Sequence, residues 1–271
     1  MTFSPREITY QNVSLYINEH SSVRVSSDAC ASGGVHDKSA RCDDAAQGAS
    51  RVVYVDPFHV EGAPHDASLV LVTHSHYDHL DPASLNAVAN ADTWFAAPVD
   101  TVGEMMAAGV PANRIVSVMP GESYEIAGFP VQTVAAYNAN KQFHPRANQW
   151  VGYVVELAGV RVYVCGDTDN TPEARAVTCD VVCVPAGGTY TTTAQEAAAL
   201  VAGMNPAPKL AIPEHYGTVA GDADCGEQFE ATLTSLVGDA IHVELPYWVA
   251  GRRAPHFGAG ARGFRDSQLS L

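Results

Sequence analysis

Positive charge is scarce in this chain. Its 271 residues carry 15 Lys and Arg against 30 Asp and Glu, a formal net charge of −15. A protein that grips nucleic acid or an anionic membrane surface needs the opposite balance, because both reward clustered cations. Charged residues of either sign make up 17% and hydrophobic ones 46%, which is globular rather than disordered composition. Uninterrupted apolar runs long enough to span a bilayer are missing. The segment Met1-Thr2-Phe3-Ser4-Pro5-Arg6-Glu7 has no apolar signal core, so a cytoplasmic protein is expected. Cysteines number six, and none suggests a disulfide framework. Cys179 and Cys183, on one extended strand, would stand about 13 Å apart, too far to bridge. Cys165 ends an apolar run and reads as a small buried hydrophobe. Cys30 and Cys42 match no zinc-finger spacing and read as free thiols; Cys225 has no nearby partner.

What the chain does have is concentrated in Thr73-His74-Ser75-His76-Tyr77-Asp78-His79-Leu80-Asp81. This segment follows Ser68-Leu69-Val70-Leu71-Val72, which reads as a buried strand. His74 and His76 are two apart, so an extended backbone points both rings to one side. Asp78 and His79 are adjacent, and a tight turn would direct them to a second point close by. One short loop can thus serve two metal ions, and its strand–loop–helix setting separates it from a merely histidine-rich surface loop.

At this length the chain can bury a full core. Alternation over Ile8 to Ile17 suggests a strand pair or one bent strand. From about residue 18 to 50 the sequence turns polar and small and is expected to be a long surface insertion. A strand over 51–58 ends in Asp56-Pro57. Pro82 to Ala89 reads as a helix with Asp81 as N-cap and Pro82 at the first helical position. Further strands are expected near 93–97, 114–118, 123–126 and 131–137, with a helix at 102–108. Trp150 to Cys165 reads as a hairpin turning at Ala158-Gly159. Strands at 181–184, 210–212 and 241–245 then alternate with helices at 193–203 and 227–237. The expectation is one domain over 1–250 carrying that insertion, followed by a polar tail at 251–271, with no internal sequence repeat.

A site for two ions needs about four ligands per ion, so the motif alone is incomplete. Three other strand ends can finish it. Asp167 follows the strand ending at Cys165, where a carboxylate could bridge two cations. His215 follows a short strand over 210–212. His144 lies beyond Ala136-Tyr137-Asn138, with Asn138 as its rival for the same place. Asp56 is expected behind the motif, orienting a ring N–H. Lys141 and Arg146 flank His144 in an acidic chain and are expected to receive an anionic group of a substrate, with solvated loop charges as the alternative.

These positions resemble the metallo-β-lactamase fold superfamily. The likeness rests on Val55-Asp56-Pro57, the His74 to His79 motif, Gly166-Asp167-Thr168 and Pro213-Glu214-His215-Tyr216-Gly217. Ala136-Tyr137-Asn138, Trp150-Val151-Gly152-Tyr153 and Gly187-Gly188-Thr189-Tyr190-Thr191 resemble the branch of the ascorbate-6-phosphate lactonases. The resemblance implies an α+β fold, an αββα four-layer sandwich with metals in a cleft along one edge of its two sheets. It also implies that His74, His76 and His144 hold one metal, that Asp78, His79 and His215 hold the other, and that Asp167 is shared. Gln11-Asn12-Val13 departs from the branch, which commonly has a Gly-His-Ser-like turn there. Asp167 stands where zinc β-lactamases often use cysteine, which disfavours antibiotic hydrolysis.

The chemistry expected is hydrolysis of a small ester, lactone or phosphoester by a hydroxide bridging two divalent ions, zinc foremost, with manganese or iron as alternatives. Asp78 would bind metal and orient the nucleophile as the catalytic carboxylate. A phosphodiesterase or nuclease of the same fold predicts a basic groove that the charge balance does not suggest. A non-catalytic metal-binding scaffold is the reading from another class, and metal analysis with a chelator-controlled substrate screen separates all three.

Overall fold

The computed structural model describes residues 3–27 and 51–249. A short ribbon pairs β1 (Phe3–Pro5) with β16 (Tyr247–Val249). Two seven-stranded sheets make the body. The first runs in spatial order β2 (Glu7–Tyr10), β3 (Val13–Ile17), β4 (Val23–Ser27), β5 (Arg51–Val55), β6 (Leu69–Leu71), β7 (Trp94–Pro98) and β8 (Ile115–Val118). The second runs β9 (Ser123–Ile126), β10 (Phe129–Ala135), β11 (Val151–Leu157), β12 (Val160–Val164), β13 (Val181–Pro185), β14 (Leu210–Glu214) and β15 (His242–Val243).

Each sheet follows the same rule. Its first three pairings are antiparallel and its last three parallel, taken in chain order. The chain therefore repeats one topology twice although no sequence repeat announces it. Under that correspondence, the β3–β4 connection matches the β10–β11 connection, and the end of β5 matches the end of β12.

Strand alternation decides the layers. Val53 and Val55 of β5 face inward with Leu15, Val25 and Leu69 onto Val131, Tyr153 and Val162 of the second sheet. Their neighbours Val52 and Tyr54 face out, onto a separate cluster with Leu85, Val88 and Met105. Those last three lie on α1 (Pro82–Val88) and α2 (Val99–Ala107). On the far face of the second sheet lie α3 (Pro172–Arg175), α4 (Ala194–Ala202) and α5 (Cys225–Val237). The order helix, sheet, sheet, helix is the four-layer α+β sandwich.

The expected caps are in place. Asp81 accepts hydrogen bonds from the backbone N–H of Ala83 and Ser84 ahead of the proline-led first turn. Thr193 and Glu196 form a reciprocal capping box at the start of α4. Among the described cysteines Cys165, Cys179 and Cys183 are buried free thiols and Cys225 is a free, half-buried one. No helix of the described residues is long and apolar enough to cross a membrane.

The insertion expected over about 18–50 needs correction at its start. Val23–Ser27 forms β4, antiparallel to β3 on one side and β5 on the other. Its apolar alternation is only Val23-Arg24-Val25, flanked by serines. A strand that short is decided by the two neighbours it pairs with, not by its own pattern. Residues 28–50 and the tail from 251 lie outside the described residues, as do Cys30 and Cys42.

Candidate metal centre

The C-terminal edges of both sheets supply the site. Asp56, just past β5, is completely buried and anchors the motif loop. Its Oδ1 accepts from the Thr73 backbone N–H at 2.7 Å and its Oδ2 from the Thr73 hydroxyl at 2.5 Å. The same Oδ2 accepts from His79 Nδ1 at 2.7 Å. Thr73 Oγ1 in turn lies 2.9 Å from His74 Nδ1. Across the site, His144 Nδ1 lies 3.1 Å from Asn138 Oδ1. Three imidazoles are thus held at Nδ1 by oxygens behind them, which fixes the tautomer and turns each Nε2 inward.

Those inward nitrogens surround Asp167. Its Oδ2 lies 3.0 Å from His144 Nε2, 3.2 Å from His215 Nε2 and 3.9 Å from His74 Nε2. Its Oδ1 lies 3.3 Å from His79 Nε2. His76, half-buried, completes this side with Nδ1 3.0 Å from His74 Nε2. Two donor sets hold the candidate ligands. His74, His76, His144 and Asp167 form one; His20, Asp78, His79 and His215 form the other, each set with its donor atoms within 4.8 Å of one another, and a third group, Asp56 with His74 and His79, overlaps them.

The donors fit a cation. Nε2 of His79, His144 and His215 and Oδ1 of Asp167 are buried without a hydrogen-bond partner. Leaving a buried polar atom unpaired costs roughly 1–3 kcal/mol, and divalent cations held by the two sets would accept electron pairs from these atoms. Histidine nitrogen with carboxylate oxygen suits zinc, manganese or iron. Three of the nine non-glycine residues with left-handed φ among the described residues stand here. His20, Asp56 and His215 hold left-handed φ values of 56°, 47° and 57°, a cost of roughly 1–3 kcal/mol each that the surrounding packing must sustain.

The charges of the protein groups are arranged around the same atoms. Burial works against a charged Asp167, but the neighbouring His215 and His79 hold its carboxyl well below the usual range. Burial also opposes a charged His79, yet Asp167 and Asp56 raise it well above the ordinary histidine value. His74 goes the other way, pushed well down by burial and by the His79 charge. A cation held at His79 Nε2 would take the place of a proton there and face Asp167, while Asp56 would keep its hydrogen bond from Nδ1–H.

Each residue singled out in the sequence can now be placed. His74, His76, Asp78, His79, His144, Asp167 and His215 all lie in the two donor sets. Asn138 is not a rival for the His144 place, because its Oδ1 also accepts from the His144 backbone N–H at 3.0 Å and so stands behind the ring. The anion-receiving roles expected of Lys141 and Arg146 would compete with ion pairs. Lys141 Nζ lies 2.6 Å from Oδ1 of the buried Asp169, and Arg146 Nη2 lies 2.6 Å from Glu173 Oε1. A loop carboxylate thus pairs with the first cation and one on α3 with the second, whose side chain stays largely exposed. Arg146 also lines a cavity of about 550 Å³ with Arg161, Glu173 and Trp150, and none of the candidate ligands lines it.

Two contributors were not read from the sequence. Trp150 packs its ring 4.8 Å from His74 and 4.9 Å from His76, between centroids. Its Nε1–H donates to Asp100 Oδ2 at 2.7 Å. His20 is completely buried, with Nε2 3.1 Å from Asp78 Oδ2 and its ring 3.7 Å from that of His215. The signal is a His-Ser dipeptide shortly after an alternating strand. The family likeness places such a turn at Gln11-Asn12-Val13, where Gln11 and Asn12 instead form an exposed turn and Val13 is the buried first residue of β3.

The chain matches the family described as the beta-lactamase superfamily domain over residues 45–215. It is 33% identical over 192 residues to a UPF0173 metal-dependent hydrolase of Methanoregula boonei, covering 65% of this chain and 80% of that one. Among solved structures it is similar to Igni18, a metallo hydrolase from Ignicoccus hospitalis, with a TM-score of 0.60 and 18% identity over 86% of this chain and 94% of that one. It is also similar to the metallo-beta-lactamase fold protein YhfI from Bacillus subtilis, with a TM-score of 0.58 and 9% identity over 85% and 91% of the two chains. These two likenesses concern the fold.

Proposed function

The chain belongs to the beta-lactamase superfamily domain family, and from that membership we propose that it is a metal-dependent hydrolase of a small ester or lactone, holding two divalent ions. The observation that carries this reading is Asp167, a single buried carboxylate ringed by the Nε2 atoms of four histidines. Its Oδ2 lies near histidines of both donor sets and its Oδ1 near His79, a placement suited to a carboxylate that two neighbouring cations would share. His74, His76 and His144 would hold the first ion; Asp78, His79 and His215 would hold the second. Ions bound there would acidify a water and polarise the carbonyl or phosphoryl oxygen of a substrate. Zinc is the first choice for both places.

The chain's own groups do the rest. Asp56, Thr73 and Asn138 keep three imidazoles turned inward, so the donor geometry is set before any ligand arrives. Burial opposes ionisation of Asp78, but the hydrogen bond from His20 and the charge of His79 bring it down to about 2. At neutral pH it is therefore a carboxylate, suited to accept a hydrogen bond from the attacking water and orient it. No serine or cysteine nucleophile is required. With Lys141 and Arg146 both paired, the anionic contact expected of them is weakened, which favours an ester or lactone over a phosphoester. The net charge of −15 likewise argues against a nuclease. A reducing compartment such as the cytoplasm suits the free thiols of the described residues.

The test is metal analysis of the purified protein, then a screen of chromogenic esters, lactones and phosphodiesters with and without chelator. Bound divalent metal with chelator-sensitive cleavage of an ester or lactone is expected. A protein that takes up no metal when loaded, or cleavage indifferent to chelator, overturns the reading.

A further inference from the structure

We propose that His20 is a positioning residue of the metal centre: it donates its Nε2–H to Oδ2 of Asp78 and so fixes which oxygen of that carboxylate faces the second cation. This rests on the functional reading above, and it adds a residue that neither the motif nor the family likeness assigned.

The geometry is specific. His20 belongs to the connection between β3 and β4, and it crosses to the other sheet's ligands. Its backbone carbonyl accepts from the His215 backbone N–H at 3.1 Å and from the Tyr247 hydroxyl at 3.2 Å. Its ring lies against that of His215, with centroids 3.7 Å apart, and 5.8 Å from that of His79. Held on both sides, the imidazole has one polar neighbour in hydrogen-bond reach, Asp78 Oδ2 at 3.1 Å.

The tautomer follows from what each nitrogen faces. Nδ1 of His20 is buried without a partner. An unpaired buried N–H costs more than an unpaired lone pair. The hydrogen therefore sits on Nε2, where the carboxylate, having no proton of its own to give, accepts it. What Nε2 faces separates positioning from ligation. Nε2 of His79, His144 and His215 is buried without a hydrogen-bond partner and so open to a cation, whereas His20 spends its Nε2–H on Asp78.

The repeated topology supports the assignment. In the second sheet the matching connection, between β10 and β11, carries His144. Its Nε2 lies 3.0 Å from a carboxylate oxygen of Asp167. Each half of the molecule thus sends one buried histidine from the same connection to a carboxylate of the site. In the second half that histidine has Asn138 behind it; in the first half it does not.

The experiment compares three substitutions by zinc affinity, measured by competition with a chromophoric chelator, and by the d–d spectrum of the cobalt-loaded protein. H20F keeps a ring against His215 and loses the donor; H20Q keeps a donor of similar reach. H20N suits the left-handed backbone but is too short to reach Asp78, and it serves as the deletion if H20F does not fold. We expect H20F or H20N to bind one zinc equivalent about 10–100-fold more weakly, with H20Q within about threefold of wild type. In the D78N background, removing His20 should cost nothing further, because its partner is already gone. H20Q should also retain the wild-type cobalt spectrum. Unchanged affinity in the deletion variants, an H20Q protein as weak as they are, additivity with D78N, or a cobalt spectrum altered in H20Q as ligand replacement would alter it each overturns the proposal. A wild-type protein that binds no zinc overturns the functional reading and this inference together, a result distinct from all of those.

Discussion

Oδ2 of Asp56 lies 2.7 Å from Nδ1 of His79, and both side chains are fully buried. Asp56 directly follows β5, and His79 stands in the loop after the adjacent parallel strand β6. The ring of this candidate ligand is thereby fixed from behind by a carboxylate whose other contacts go to Thr73. Replacement of Asp56 by Asn puts an amide N–H where only acceptors fit. We expect metal affinity to fall about 10–100-fold, and the metal-free protein to lose roughly 1–3 kcal/mol from the mispaired buried group. Chelator competition and denaturant unfolding measure the two effects separately. Wild-type affinity in D56N would show that the contact is structural only.

Asp78 stands in the second donor set and is the carboxylate assigned to orient water. D78A should lower kcat by at least about 100-fold while the circular dichroism spectrum stays that of a folded protein. Retained turnover on any substrate found in the screen rejects the role.

Gly187 passes so close to His215 that a Cβ built on it would sit 2.2 Å from the His215 carbonyl oxygen. Backbone cannot yield as a flexible side chain does, so G187A must push the His215 loop away. A cost of about 1–3 kcal/mol in stability is expected for such overpacking, together with weaker binding of one metal equivalent. A variant as stable as wild type with unchanged zinc affinity contradicts this.

Glu214 lies beside the candidate ligand His215 and is one of the buried groups without a polar partner. Both carboxyl oxygens are buried without a hydrogen-bond partner, and burial, reinforced by the charge of Asp56, pushes its carboxyl well above the usual value. The fold therefore keeps the proton at pH values where the unfolded chain releases it. Stability from this group is fully present below the unfolded pKa and is lost as pH rises above it toward the folded one. E214Q removes the titration. Urea unfolding of the metal-free proteins should show E214Q gaining on wild type between pH 5 and pH 8, and an equal difference at both values would refute the sign.

The sequence was most legible where function is local. The His74 to His79 spacing, the apolar run before it and the Asp81-Pro82 helix start sit within a few residues of one another, so strand and turn geometry alone bring their groups together. Asp167 and His215 could be read because each follows a strand directly. Strand ends were reliable guides because both sheets are buried and their alternation is plain.

Other parts depended on partners distant in sequence. Val23–Ser27 is a strand because β3 and β5 flank it, and its own pattern is too short to say so. Lys141 looked like a free cation until Asp169, 28 positions on, was seen to take it. Asn138 and His144 were ranked as rivals on residue chemistry, and only their hydrogen bond shows one to be the support of the other.

By itself, then, the sequence determined the donor types, the loops that carry them and the class of chemistry they suit, because those are properties of residues and short spacings. Which nitrogen faces inward, which cations remain unpaired and which histidine holds Asp78 were decided only in three dimensions. His20 and Asp78 are 58 residues apart, and nothing between them in sequence carries the information. Two sheets packed face to face bring their strand ends to a common edge, and burial there leaves each polar atom only the neighbours that packing supplies.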